Sequence, residues 1–377
     1  MTGGRGSVYK RGAAWYWHAK WQHQGGWKQK KKGGYRNRKE AEQGLTDFLR
    51  SVDIGIAVPA DQLTVAGFLD GWLDHLEHVV GRKASTVLSY RITLKNALPI
   101  IGPMRMQNVT ASDIDGIYRA MARRGLKPRT VRYLYSILRK AFGDAERQGI
   151  VATNVVTRST PPSTVAARAP QFRTWTDAEL ARFLAHIDGR AHAAAITFAA
   201  LTGCRRGEVI GLRWADLDLD NNRATIAQSV SDLGAEGLDV GDTKAHLAHP
   251  IALDDDLVAV LRRHRAEQNE WRLQVGPHWI DRDLVFPGPA GDYLRPAALS
   301  QQFERLIDSA GVPRIRFHDL RHGVGTSMAR MPNGAKKAQQ QLRHSSVNFT
   351  LNNYVHVSTD DLVAGVNEIA RRRKEAR

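Results

Sequence analysis

The chain has 377 residues, 42% of them hydrophobic, and 55 Lys and Arg against 38 Asp and Glu, for a net charge of +17. That is enough for two or three ordinary domains, and the charge favours polyanionic partners, nucleic acid foremost. A membrane partner is not expected, because no apolar run approaches the ~20 residues that span a bilayer; the first residues also lack a secretory signal's apolar stretch, and Cys204 alone excludes an internal disulfide or a cysteine-rich metal site.

Residues 1–60 read as a small α+β unit. Between Lys10 and Lys39 stand ten Lys or Arg and no Asp or Glu. Trp15, Trp17, Ala19 and Trp21 alternate with Tyr16, His18, Lys20 and Gln22, the period of a half-covered strand. Gly25-Gly26 marks a turn into a second strand from Trp27 to Lys32, and Ala41, Leu45, Phe48, Leu49 and Val52 trace one face of a following helix. That helix is expected to cover the tryptophan side. Lys20, Lys28, Lys30, Lys31 and Lys32 are then left on the other side as DNA-binding candidates, since strands enter major grooves and lysines beside them hold phosphates. A solvated basic surface is the plainer alternative.

Residues 61–156 read as helical. Val65, Phe68, Leu69, Trp72, Leu76 and Val79 form one stripe; Leu88, Ile92 and Leu98 suggest a second helix ending near Pro99. Thr110 or Ser112 caps a third, and a fourth runs from Pro128 to Gln148, stopped by Gly149. On its outer side Arg129, Arg132, Arg139 and Lys140 are candidates for DNA backbone contact, although helix surfaces are often this basic. The stretch 157–174, with Pro161, Pro162 and Pro170, is expected to be an extended linker with little to bury.

The third domain, 175–377, opens on a helix that Thr176 and Glu179 box. An apolar helix follows, then Thr202-Gly-Cys-Arg205-Arg206-Gly-Glu208-Val-Ile-Gly-Leu212-Arg213-Trp214. Cys204, among apolar residues of the expected helix, reads as inert packing. A hairpin is expected from Arg223, with Asp242-Thr243-Lys244 on its returning side; Lys244 is the only lysine between Arg205 and Ala335. Further on come Phe317-His318-Asp319-Leu320-Arg321-His322 and Gln339-Gln-Gln-Leu-Arg343-His344-Ser-Ser, with Tyr354 ten residues beyond His344.

Singly these motifs are weak. In this order, on a basic chain, they resemble the tyrosine recombinase (phage-type integrase) family. The resemblance matches Arg205 and Arg321 to the two catalytic arginines, Lys244 to the catalytic lysine, His318 and His344 to the histidines and Tyr354 to the nucleophile. Glu208 and His322 take supporting roles. Two departures stand out: His246, Leu247, Ala248 and His249 replace the usual basic residues after the lysine, and Arg343 stands where glycine is usual. If the backbone there needs a positive φ, arginine is strained; otherwise the turn is built differently.

The resemblance implies a multidomain, mainly α protein with small β-sheets: an arm-binding domain, a helical core-binding domain and a mostly helical catalytic domain. It implies strand exchange between double-stranded attachment sites through a 3'-phosphotyrosine, by a homotetramer on DNA, with no metal or cofactor. Integration and excision of a phage or other mobile element in the cytoplasm of a bacterial host is the expected setting. Whether a host DNA-bending factor and an excisionase take part is left open. The rivals are a resolvase-like relative, a regulator that has lost catalysis and a metal-dependent transposase; Asp254, Asp255 and Asp256 crowd a helix start and offer no separated carboxylates for the last.

Overall fold

The computed structural model describes residues 6–23, 26–53, 63–167, 173–242, 250–343 and 371. The chain divides into two compact units, Met1–Pro170 and Gln171–Arg377.

The first unit begins with an antiparallel sheet of β1 (Gly6–Arg11), β2 (Ala14–His23) and β3 (Gly26–Tyr35), followed by α1 (Arg38–Asp53). β1 was not anticipated. Trp17 and Ala19 are buried and Phe48 of α1 stacks on Trp17, so the helix covers the predicted side. The basic run divides differently from expectation. In the β2–β3 register Lys30 faces Ala19 and Lys32 faces Trp17, whereas Lys31 faces His18. Lys30 and Lys32 therefore stand on the helix side, with Lys30 Nζ 5.1 Å from the centre of the Phe48 ring. Successive residues of a strand point to opposite faces, so a consecutive run cannot share one. The open face carries Lys20, Lys31, His18 and the stacked Tyr9–Tyr16 pair. The side chains of Trp21, Lys28 and Val52 lie outside the described residues.

A second core in this unit is helical: α2 (Val65–His78), α3 (Ala84–Leu94), the short α4 (Leu98–Ile101), α5 (Ala111–Arg123) and α6 (Pro128–Arg147). Ile114, Ile117, Leu134, Leu138 and Phe142 pack its centre, and Trp72 Nε1 donates to Asp144 at 2.7 Å, tying α2 to α6. Thr110, not Ser112, caps α5 in a box with Asp113. The expected stripe of α3 is on the wrong side: Val87, Leu94 and Ala97 are buried while Ile92 is 55% exposed, and Pro99 starts a helix instead of ending one. The expected linker is partly anchored. Tyr118 and Ser159 hydroxyls meet at 3.2 Å, and Arg132 Nη1 donates to the Pro162 carbonyl at 2.7 Å. Arg132 is thus engaged by its own chain, while Arg129 and Arg139 are exposed. Burial, then Arg82 and Arg147, push the Lys140 pKa down.

The second unit holds α7 (Asp177–Ile187), α8 (Ala193–Thr202) and α9 (Arg206–Ile210), then five short strands: β4 (Leu217–Asp218), β5 (Arg223–Thr225), β6 (Gln228–Asp232), β7 (Leu238–Asp242) and β8 (Pro250–Ala252). Next among the described residues come α10 (Asp255–Val275), α11 (Pro296–Ala310), α12 (Phe317–Ala329) and α13 (Gly334–Leu342). β4, β5 and β8 form one antiparallel sheet, and β6–β7 a separate hairpin. Phe183, Phe198, Phe286, Phe303 and Phe317 fill the core between the helices. Thr176 and Glu179 box α7 as expected. The Asp254 carboxylate accepts the Leu257 N–H at 2.7 Å, so it starts α10. Among the described residues no helix is long and apolar enough to cross a membrane.

Candidate active site

Two helix starts and two helix ends build the site. α8 closes on Gly203, whose φ of 71° reverses the chain; a side chain there would stand 2.4 Å from Leu342. Only glycine suits such a turn under such a neighbour. Cys204 lies in this turn, not in the helix as expected, and is buried; burial pushes its thiol pKa up, against the opposing pull of Arg343. Arg205 caps the five-residue α9. Its backbone N–H donates to Glu208 Oε2 at 2.7 Å and its Nη1 to Glu208 Oε1 at 2.9 Å. The Arg205 side chain remains 38% exposed above a carboxylate that is almost wholly buried.

α12 starts the same way. The Arg316 backbone N–H donates to Asp319 Oδ2 at 2.8 Å, and the Arg316 guanidinium grips both oxygens of that carboxylate, at 2.9 and 2.6 Å. This capping aims the first two turns of α12, where His318, Arg321 and His322 sit. Arg321 is 3% exposed. Its Nη1 donates to the Gly203 carbonyl at 2.7 Å and its Nη2 to the Leu342 carbonyl, so it joins the end of α8 to the end of α13. His318 and His322 rings meet edge to face with centres 5.2 Å apart. Burial of the ring, then the cations Arg321 and Arg205, push the His318 pKa down, although part of the residue is exposed. Burial and then His318 push His322 down to about 4. Both rings are therefore neutral near pH 7.

α13 brings in residues that sequence reasoning did not place in the site. Gln341 exchanges hydrogen bonds with Ala252, its amide nitrogen at 3.1 Å from the carbonyl and its oxygen 3.1 Å from the N–H, so it pins β8 to α13. Arg343 has φ 54°, the strained alternative of the two considered for the glycine position. Its side chain is 4% exposed and its Nη2 donates to Glu208 Oε2. Burial alone would raise the Glu208 pKa; the charges of Arg343 and Arg205 and the hydrogen bonds from Arg205 outweigh it and hold the carboxylate below its ordinary range. The signal available beforehand was the departure at Arg343 itself. Asp319, also missed, was legible as an acid three residues beyond Arg316.

The structure thus gathers Arg205, Glu208, His318, Arg321 and His322 of the expected set. Lys244, His344 and Tyr354 lie outside the described residues. A hairpin does precede Lys244, but it starts at Gln228 and not at Arg223, which lies in the β4–β5–β8 sheet: β7 ends at Asp242 opposite Gln228, whose amide donates to the Gly211 carbonyl just beyond α9 at 2.8 Å. β6 also passes so close to α9 that a side chain at Gly207 would meet the Val230 carbonyl at 2.3 Å. Arg206 turns away to Ser300, and Arg213 spends its fork on Asp216. Arg205 and Arg321 offer permanent cations, and the neutral imidazoles can accept protons, a combination suited to phosphoryl transfer.

Comparison with known proteins agrees. The phage integrase family matches residues 174–360. The chain is 23% identical over 343 residues to a tyrosine recombinase XerC-like protein of Caldanaerobacter subterraneus, covering 85% of this chain and 86% of that one. It is 27% identical over 302 residues to an integrase of Streptomyces ambofaciens, covering 78% and 76% respectively. In fold it is similar to the Tn1549 transposon integrase in complex with transposon right end DNA, with a TM-score of 0.68 at 22% identity over 82% of this chain and all (100%) of that one. A lambda integrase tetramer bound to a Holliday junction gives 0.58 at 18% identity, over 93% and 96%. An arginine-bearing turn after α8, a second arginine turned onto it from α12 and a family match that runs through both are the marks of one chemistry: the chain belongs to the phage integrase family of tyrosine-type site-specific recombinases.

Proposed function

We propose that this recombinase integrates and excises a phage or other mobile element, cleaving DNA through a 3'-phosphotyrosine at Tyr354. The observation that carries this reading is the convergence of Arg205, Arg321 and His318 on the turn between α8 and α9. Arg205 has an exposed fork for the non-bridging oxygens of the scissile phosphate; Arg321 adds its charge from beneath. His318, neutral near pH 7, takes the Tyr354 proton, His344 donates to the phosphate, and Lys244 protonates the leaving 5' oxygen. Glu208 and His322 position this set. Attack by the 5' hydroxyl of another strand then reseals the DNA with the bond energy retained.

The domain roles follow from the same reading: residues 1–60 bind arm DNA, 61–156 core DNA, 157–174 link, and 175–377 cut and rejoin. The open face of the amino-terminal sheet, with Tyr9, Tyr16, His18, Lys20 and Lys31, supports the first of these. Arg129, Arg139 and Lys140 would reach core-site phosphates. The double-stranded partners are brought together by a homotetramer, four active sites being needed to exchange two duplexes. The setting is the cytoplasm of a bacterial host, and whether an excisionase and a host DNA-bending factor set the direction of exchange stays open.

The test is a nicked suicide substrate carrying one core site. The protein should form a denaturation-resistant adduct, and Tyr354→Phe should bind the same DNA without forming it. Adduct at undiminished yield in Tyr354→Phe would remove Tyr354 from the chemistry.

A further inference from the structure

At the end of α13 two consecutive residues hold both arginines of the site. The Leu342 carbonyl accepts from Arg321, and the Arg343 guanidinium donates to Glu208, the carboxylate that also binds Arg205. Arg343 sits there at a double disadvantage. Its backbone lies in the left-handed region at φ 54°, where any side chain beyond glycine is strained. Its Nη1 is buried with no hydrogen-bond partner among the described residues, which is costly for a charged donor. Strain and an orphaned donor on one residue beside a reaction centre point to a use that outweighs them.

That use lies in how Glu208 is divided. Oε2 accepts from the Arg205 backbone N–H and from Arg343, leaving Oε1 alone to take Arg205 Nη1. A buried carboxylate facing a single arginine tends to a fork-to-fork pair that occupies and neutralises the whole guanidinium, as Asp319 does with Arg316. Arg343 prevents this by claiming the second oxygen. Arg205 is then oriented by one bond while the rest of its fork faces outward, and the cluster keeps a net positive charge. We propose that Arg343 is a positioning residue of the phosphate clamp: by sharing Glu208 it keeps Arg205 aimed and uncompensated, and it ties that aim to the segment leading to His344 and Tyr354. This rests on the reading of Arg205 as a phosphate ligand.

The test uses the full-length protein with Arg343→Gly, which relieves the backbone, and Arg343→Lys, which keeps a cation without the fork. Cleavage is read on two suicide substrates, one with an ordinary phosphodiester and one with a methylphosphonate at the scissile position. The methylphosphonate lacks one charged oxygen and so needs the clamp less. On the phosphodiester Arg343→Gly should cleave roughly tenfold or more slowly, with unchanged core-site affinity, at a temperature where the variant is folded. The defect should shrink on the methylphosphonate, in parallel with that of Arg205→Ala. Arg343→Lys should fall between, and it carries the test alone if Arg343→Gly does not fold. Wild-type cleavage of the phosphodiester by a folded variant overturns the proposal, as does an equal defect on both substrates, which marks a merely structural arginine. If the wild-type protein forms no Tyr354-dependent adduct, the fault lies with the assignment of the site and not with Arg343.

Discussion

The starts of α9 and α12 are built from one local pattern and end in different states. In each, an arginine caps the helix and an acid three residues on accepts its backbone N–H. Around Asp319 the pattern closes on itself: Arg316 takes both carboxylate oxygens and projects a side chain that is 72% exposed but electrically spent. Around Glu208 it stays open, because α13 inserts a second guanidinium and Arg205 is left with unspent donors. A helix cap thus becomes a phosphate-binding position when a third element competes for the acid. The energetic consequence is equally asymmetric. Asp319 serves one half-solvated pair, whereas Glu208 compensates a guanidinium that is buried with it.

The widest expected gap is catalytic. Arg205→Ala should slow cleavage of a suicide substrate by about a hundredfold or more, the usual loss when one donor to a developing charge is removed. Arg316→Ala should stay within about threefold, because its fork is already committed to Asp319. Adduct formation in single-turnover assays checks both, and equal losses would dissolve the distinction between the two starts. Next comes stability. Glu208→Ala strands Arg343 as an uncompensated buried charge and should cost about 3–5 kcal/mol. Asp319→Ala removes a cap beneath an exposed arginine and should cost about 1–2 kcal/mol. Urea midpoints of the isolated variants measure the pair; a costlier Asp319→Ala would mean the closed cap is the sturdier anchor.

The smallest effect separates the histidines from the carboxylates by pH. Burial, then His318, push the His322 pKa down to about 4 from the ordinary 6.5 of the unfolded chain, so the unfolded chain binds more protons between those values. Stability contributed by the neutral buried ring is full above pH 6.5 and is lost as pH falls towards 4. Glu208 and Asp319 are held below their ordinary 4.5 and 3.8, so their contribution is present at pH 7.5 and 6 and falls away only as pH drops through those ordinary values. The drop in melting temperature between pH 7.5 and 5 should therefore be smaller in His322→Gln than in wild type. An identical drop would show that His322 titrates normally.

Much of the molecule was legible because the signals are local. The stripe of α2 from Val65 to Leu76, the Pro128 start and Gly149 stop of α6, and the box of Thr176 with Glu179 depend on residues three or four apart, and each formed as the spacing implies; Val79, expected to end that stripe, lies past the helix and is 71% exposed. Where the reading failed, a partner distant in sequence or a miscounted period was responsible. Leu88 and Ile92 carry a helical spacing, yet the bundle buries Val87 and Leu94, because a short helix with apolar residues on two sides is turned by whatever it packs on. The lysine run does not share one face, because a strand's period of two divides it, with Lys31 open and Lys30 over Phe48.

The amino-acid sequence by itself determined the order and type of the reactive groups: Arg205 after a glycine that must reverse a helix, Arg321 three residues after His318, and a family likeness running through both. It also exposed the anomaly at Arg343. Only the tertiary structure decided what each group is free to do. Arg205 and Arg316 are alike in their local sequence, and nothing within four residues of either states that one carboxylate is shared and the other is not. That depends on α13, more than a hundred residues away from α9, arriving with Leu342 on Arg321 and Arg343 on Glu208. A guanidinium's availability is set by the acceptors around it in space, and those are chosen by packing.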